Sequence, residues 1–186
     1  EKIKTEHYMP AFEEGIKQHQ AEIDAIADSN EEPTFANTIE ALDYSGQLLS
    51  KVSSVFFNLY SSNSNEDMEK IATDVSPKLS EHNDNLYLNE KMFGRVKKLY
   101  DNRTTLGLNA EQTRLLEDYY KNFIRSGAAL NPEQKEKLRA INKELGLAEL
   151  AFGQNVLAET NAYKKVIENE ADLAGLPEGV RQAAAE

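Results

Sequence analysis

Apolar residues recur along this chain at alternating spacings of three and four, the period of an amphipathic helix. Phe12, Ile16, His19, Ile23 and Ile26 form the first such stripe, behind a Pro10 placed where a first helical turn tolerates it, and the stripe ends near Asp28. A polar loop, Asp28 to Pro33, leads to Thr34, which is suited to cap a second, long helix with the stripe Ile39, Leu42, Gly46, Leu49, Val52, Phe56 and Leu59. A glycine on that stripe predicts that another backbone passes close to it.

The pattern continues past a linker from Ser61 to Asn65. A third helix carries Met68, Ile71, Val75, Leu79, His82 and Leu86, and Pro77 inside it removes one backbone donor, which predicts a bend near Asp74. Asn89 is placed to cap a short helix through Tyr100, and Asn109 another that carries Leu115, Leu116, Tyr119, Tyr120, Phe123 and Ile124 and stops at Gly127. The string Asn131-Pro132-Glu133-Gln134 combines a cap, a first-turn proline and a glutamine that reaches back to the cap, so a long helix follows, with Leu138, Ile141, Leu145, Ala148, Phe152 and Asn155 on its stripe. The run Ala162 to Ile167 reads either as a short strand or as an irregular segment. Leu173 to Pro177 turns the chain into a last helix at Glu178, which reaches Glu186 without a stop signal, as expected of a chain cut in mid-helix. No period of 20 to 50 residues relates these helices, so the expected fold is all-α, an irregular helical array rather than a standard solenoid.

Length and composition narrow the classes. With 186 residues, one helical domain spanning 1–186 is expected, since a chain of this size buries roughly 70% of its unfolded surface. No apolar run approaches the roughly 20 residues that span a bilayer, so no transmembrane segment is expected. A net charge of −11 opposes approach to a phosphate backbone, which makes nucleic acid a poor partner. The absence of cysteine removes thiol catalysis and every cysteine-based zinc site. The chain starts at Glu1 with no export signal in view, so the compartment is not legible from this end.

Candidate chemistry is sparse. The histidines are His7, His19 and His82, and none begins the H-E-x-x-H spacing that puts two imidazoles on one helical face around zinc. Lys4, Ile16 and Leu79 stand three residues before them, where a di-iron bundle needs glutamate. His19 and Glu22 lie one turn apart, but two ligands make a poor metal site, and a half-buried, hydrogen-bonded His19 is the plainer reading. His82 falls on an apolar stripe beside Glu81 and Asp84 and reads as a packed or rim histidine. No G-x-S-x-G string is present to activate a serine. The acid pairs Glu13-Glu14, Glu31-Glu32 and Glu66-Asp67 sit near helix starts or in a loop, where a structural role is expected. In Phe56-Phe57 and Tyr119-Tyr120 one ring of each pair should be core and the other is free to face a groove. No catalytic, cofactor-binding or metal-ligating residue is therefore assigned.

Several strings nonetheless stand together in a familiar order. His7 to Gly15 (HYMPAFEEG), Pro33 to Leu42 (PTFANTIEAL) and Leu173 to Glu178 (LAGLPE), with Phe56-Phe57-Asn58-Leu59, Tyr87-Leu88-Asn89 and Phe152-Gly153-Gln154-Asn155 between them, resemble the N-terminal region of bacterial peptidyl-dipeptidases. Those enzymes belong to the thimet oligopeptidase, neurolysin and oligopeptidase A family of zinc metallopeptidases. The resemblance covers nearly the whole chain. It implies the N-terminal part of an elongated helical body split by a deep channel, with zinc held further along by an H-E-x-x-H helix that this sequence does not contain. The parent is then expected to release dipeptides from the C-termini of short peptides through a zinc-polarised water and a glutamate base, with zinc as its cofactor, and the rest of that chain is the partner of this part. The isolated chain is expected to be inactive, its role being scaffold and substrate channel. The family likeness favours cytoplasm over periplasm. A non-enzymatic helical module that binds peptides or proteins in a groove is the alternative.

Overall fold

A computed structural model of the chain describes residues 3–185. They form an irregular all-α array, and no strand occurs among them. The residues group into two units, Glu1–Leu150 and Ala151–Glu186. The first holds a 3-10 turn at Thr5–His7, helix α1 (Tyr8–Ala27), a π-helical turn (Phe35–Glu40) that runs into the short α2 (Ala41–Tyr44), then α3 (Gln47–Ser62), α4 (Glu66–Tyr87), α5 (Glu90–Asp101), α6 (Ala110–Arg125) and the first part of α7 (Pro132–Ala162). The second holds the end of α7, a 3-10 turn (Glu170–Leu173) and α8 (Glu178–Ala185), with no regular structure over 163–169. The ambiguous run after Ala162 is thus irregular. Among the described residues no helix is long and apolar enough to cross a membrane.

The caps form as their residue types dictate. The side chains of Thr34, Asn89, Asn109 and Asn131 accept from the backbone N–H groups of Asn37, Met92, Gln112 and Gln134, and Gln112 and Gln134 bond back to complete capping boxes. At the end of α6, Gly127 takes φ +93°, Ala128 N–H reaches the Phe123 carbonyl and Gly127 N–H the Ile124 carbonyl, a Schellman closure. Helix α4 continues through Pro77.

The second helix differs from the sequence reading. The long helix expected from Thr34 to Leu59 is interrupted at Ser45, which is extended, and at Gly46, which takes φ +70° and caps α3. The glycine that admits a neighbouring backbone is instead Gly15, where a Cβ would stand 3.0 Å from the Leu49 Cα. At Gly46 a Cβ would stand 2.8 Å from Nδ1 of the His19 ring, so a side chain fills the space. The break goes unseen in the pattern because Leu42 and Leu49, seven residues apart, keep helical phase across it, and both are buried.

Two apolar clusters hold the first unit. Ile23, Ile39, Met92, Val96, Leu99, Leu116 and Phe123 centre one, and Tyr8, Phe12, Phe56, Ala72 and Val75 the other. Burying each large side chain contributes roughly 1.5–3 kcal/mol. The rings of Phe12 and Phe56 meet edge to face at 5.3 Å. Phe56 is the core member of its pair and Phe57 lies partly buried beside it. Tyr120 stacks on Tyr100 at 3.7 Å, while the Tyr119 hydroxyl donates to Asp43, and burial, helped by the Asp43 charge, pushes its pKa up. The stripe expected on α7 does not pack as drawn: Ile141, Leu145 and Phe152 are 57%, 52% and 72% exposed, and Lys135 is the buried residue of this helix.

Candidate functional site

A cleft of about 840 Å³ opens within the first unit between α1, α3, α4 and α7. Its wall carries hydroxyls and amides, with Ser50 and Ser53 from α3, Ser76 and Ser80 from α4 and Asn142 from α7, and Leu49 and Leu79 give it apolar patches. Such a lining suits an extended peptide, whose backbone needs donors and acceptors and whose side chains need apolar contact.

In the wall of the cleft the structure brings together two of the three histidines. His19 on α1 and His82 on α4, 63 positions apart, are joined by a 2.9 Å bond between His82 Nε2 and His19 Nδ1, their ring centroids 4.8 Å apart. His19 Nε2 lies 3.0 Å from Ser45 Oγ in the break between α2 and α3. Glu22, one turn on from His19, accepts the Gly46 N–H at 2.7 Å and so fastens α1 to the same break. His7 lies exposed before α1, outside this group.

A serine within reach of a histidine invites the reading of a nucleophile and its base. The hydroxyl's own bond decides against it. Ser45 Oγ donates its single proton to the Leu42 carbonyl at 2.6 Å, so toward His19 it can only accept. His19 therefore carries its proton on Nε2, its bare Nδ1 accepts from His82 Nε2–H, and Nδ1 of His82 is left as a bare nitrogen, buried with no hydrogen-bond partner. Burial lowers the pKa of both rings. For His19 the negative charge of Glu22 opposes the shift in part, and for His82 the neighbouring ring of His19 adds to it. The pair is neutral at pH 7 and serves as a structural link.

Zinc does not fit this group. The facing nitrogens of His19 and His82 are spent on each other, and among the described residues no three of His, Cys, Asp or Glu converge. Glu22 is committed to Gly46, and Asp84, buried beside His82 in sequence, accepts from Asn142 at 2.6 Å.

A second polar knot went unread in the sequence. Arg95 on α5 is 7% exposed and donates to the backbone carbonyls of Ser29 and Glu31 and to Asn37 Oδ1. Asn37 also receives the Thr34 N–H and the Thr38 hydroxyl on Oδ1 and donates from Nδ2 to the Glu32 carbonyl. An arginine in a helix whose stripe is otherwise apolar, opposite a loop of free carbonyls, was the available signal.

No family model matches the chain. Among curated proteins it is similar to a dipeptidyl carboxypeptidase of Escherichia coli (strain K12), with 38% identity over 186 residues, all of this chain and 27% of that protein. It is 30% identical to an oligopeptidase A of Haemophilus influenzae over 191 residues, covering 98% of the chain and 27% of the relative. A thimet-like oligopeptidase of Dictyostelium discoideum matches at 24% over 179 residues, 95% of the chain and 25% of the relative. The chain spans about a quarter of the length of these relatives.

Proposed function

The chain belongs to the family of the dipeptidyl carboxypeptidases and oligopeptidases A, and from that premise we propose that it is the N-terminal scaffold and substrate-channel part of a zinc peptidase that releases dipeptides from the C-termini of short peptides. The observation that carries this reading is the unbroken match of the chain, 100% of its length, to a protein named for that activity. The polar cleft supports it, since a wall of serine and asparagine side chains with leucine patches suits a peptide main chain in extended form. Zinc, held by residues of the parent outside this chain, would supply the polarised water. The residues here bind, orient and exclude, and take no part in proton transfer to substrate. In this reading both units belong to one helical body of the parent, and the cytoplasm is its compartment.

The test is direct. The full-length product of the same locus, given short unstructured peptides, releases C-terminal dipeptides, and a chelator stops it. A locus that encodes no H-E-x-x-H helix, or a full-length product inactive on every short peptide, overturns the reading and favours a peptide-binding module without enzyme activity.

A further inference from the structure

We propose that the His19–His82 pair is an acid-sensitive latch between α1 and α4 in the wall of the cleft. The geometry leaves each ring one place for an added proton. On His19 it is Nδ1, the atom that accepts the 2.9 Å bond. With His82 holding its proton on Nε2, protonation there sets two N–H groups against each other and breaks the link, and the other His82 tautomer would put an N–H on the buried Nδ1 that has no partner. On His82 it is Nδ1, which is buried and faces no acceptor. With both protonated, two cations stand 4.8 Å apart, centroid to centroid.

The Glu22 carboxylate offsets part of the cost of charging His19, and no other neighbouring charge bonds to either ring. On α1, Glu22 is held by the Gly46 N–H, and Glu13 and Asp24, which border His82 on its other side along with Lys17, are engaged by Lys78 and Gln20. On α4, Asp84 is taken by Asn142, and Glu81 makes no hydrogen bond to either ring. Arg125 at the end of α6 and Glu149 on α7 share the cleft wall without bonding to the pair, and α3 brings serine and leucine to it. His82 is 6% exposed, so water is a poor substitute partner.

The direction follows. Both rings have a folded pKa below 6.5, so the unfolded chain binds more protons once the pH falls below about 6.5. The latch is fully closed above that pH and opens as the pH drops through the folded values. For each histidine the folded-to-unfolded ratio then falls by up to about tenfold per pH unit. Opening loosens α1 against α4 where the two rings meet, while the Lys78–Glu13 pair and the second apolar cluster still join the helices. This inference does not depend on the peptidase reading.

The experiment follows the imidazole nitrogens of the chain by two-bond 1H–15N NMR from pH 8 to 5, together with amide exchange along α1 and urea midpoints of wild type and His82→Gln. The variant's amide nitrogen still donates to His19 but does not titrate. Expected are Nε2–H tautomers for both rings at pH 7, titration below 6.5 with loss of protection in α1, and a wild-type midpoint that falls between pH 6.5 and 5 more steeply than the variant's. An Nδ1–H tautomer at His19, titration of either ring at or above 6.5, or equal pH slopes in the two proteins overturns the latch. If the variant does not fold, the wild-type tautomers and titration still decide.

Discussion

Replacing Gly46 by alanine perturbs the site from two directions that the structure separates. The backbone at φ +70° is left-handed, which costs a residue with a Cβ about 1–2 kcal/mol. The new Cβ would also lie 2.8 Å from His19 Nδ1 and 2.9 Å from its Cε1. The ring must move, and it cannot do so while holding both Ser45 and His82. Losing one or both of those half-buried bonds adds about 0.5–1.5 kcal/mol each. The expected total is about 1.5–5 kcal/mol, a large part of the ~5–15 kcal/mol that holds a typical domain.

Gly107 supplies the control for strain alone, since it has φ +67° and nothing within 4 Å of its would-be Cβ. Urea unfolding of Gly46→Ala and Gly107→Ala, read at an unchanged slope, gives the contact contribution by difference. A double-mutant cycle with His19→Ala then assigns it. If the two glycine variants lose equal stability, or if His19→Ala does not relieve Gly46→Ala, the ring is not what fills that space and the argument fails.

Three other outcomes can be checked on the same chain. Asn37→Ala removes the acceptor shared by Thr34, Thr38 and Arg95 and should lower stability by about 2–4 kcal/mol, as buried polar groups lose their partners; an effect under about 0.5 kcal/mol in urea unfolding would show the knot to be superficial. Lys135→Met leaves the Leu88 carbonyl without the amine that caps it and parts the pair with Glu90, so a loss of about 1–3 kcal/mol is expected, and a more stable variant would mean the buried amine is a burden. Zinc titrated calorimetrically into the chain should bind no better than to an exposed imidazole, and stoichiometric tight binding would reveal a missed site.

What was legible in the sequence was local. Thr34, Asn89, Asn109 and Asn131 each declare a helix start through a hydrogen bond three residues long, so the caps could be read without knowing the fold. The interruption at Ser45 and Gly46 was hidden because the stripe stays in phase across it. The meeting of His19 with His82 spans 63 positions, and each ring by itself looks like any polar member of an apolar stripe. The α7 stripe shows the opposite limit. Periodicity reports that Ile141, Leu145 and Phe152 share a face, but not whether anything covers it.

Three of the strings that carried the family resemblance hold the first unit together, whereas Phe152 to Asn155 and Leu173 to Glu178 bury no residue. In HYMPAFEEG, Tyr8 and Phe12 enter the second cluster and Gly15 lets Leu49 approach to van der Waals contact. In PTFANTIEAL, Thr34 and Asn37 build the capping box on which Arg95 is seated, and Phe35, Ile39 and Leu42 enter the first cluster. In Tyr87-Leu88-Asn89, the first ring packs on Phe123 at 5.0 Å, the second residue's carbonyl is held by Lys135 and the third caps α5. A buried knot of this kind tolerates few substitutions, because replacing one member strands the polar atoms of the others. The cleft wall, with the small hydroxylated side chains of Ser50, Ser53, Ser76 and Ser80, forms no such knot. The resemblance in these three strings therefore rests on residues that make the helices meet, and none of them lines the cleft.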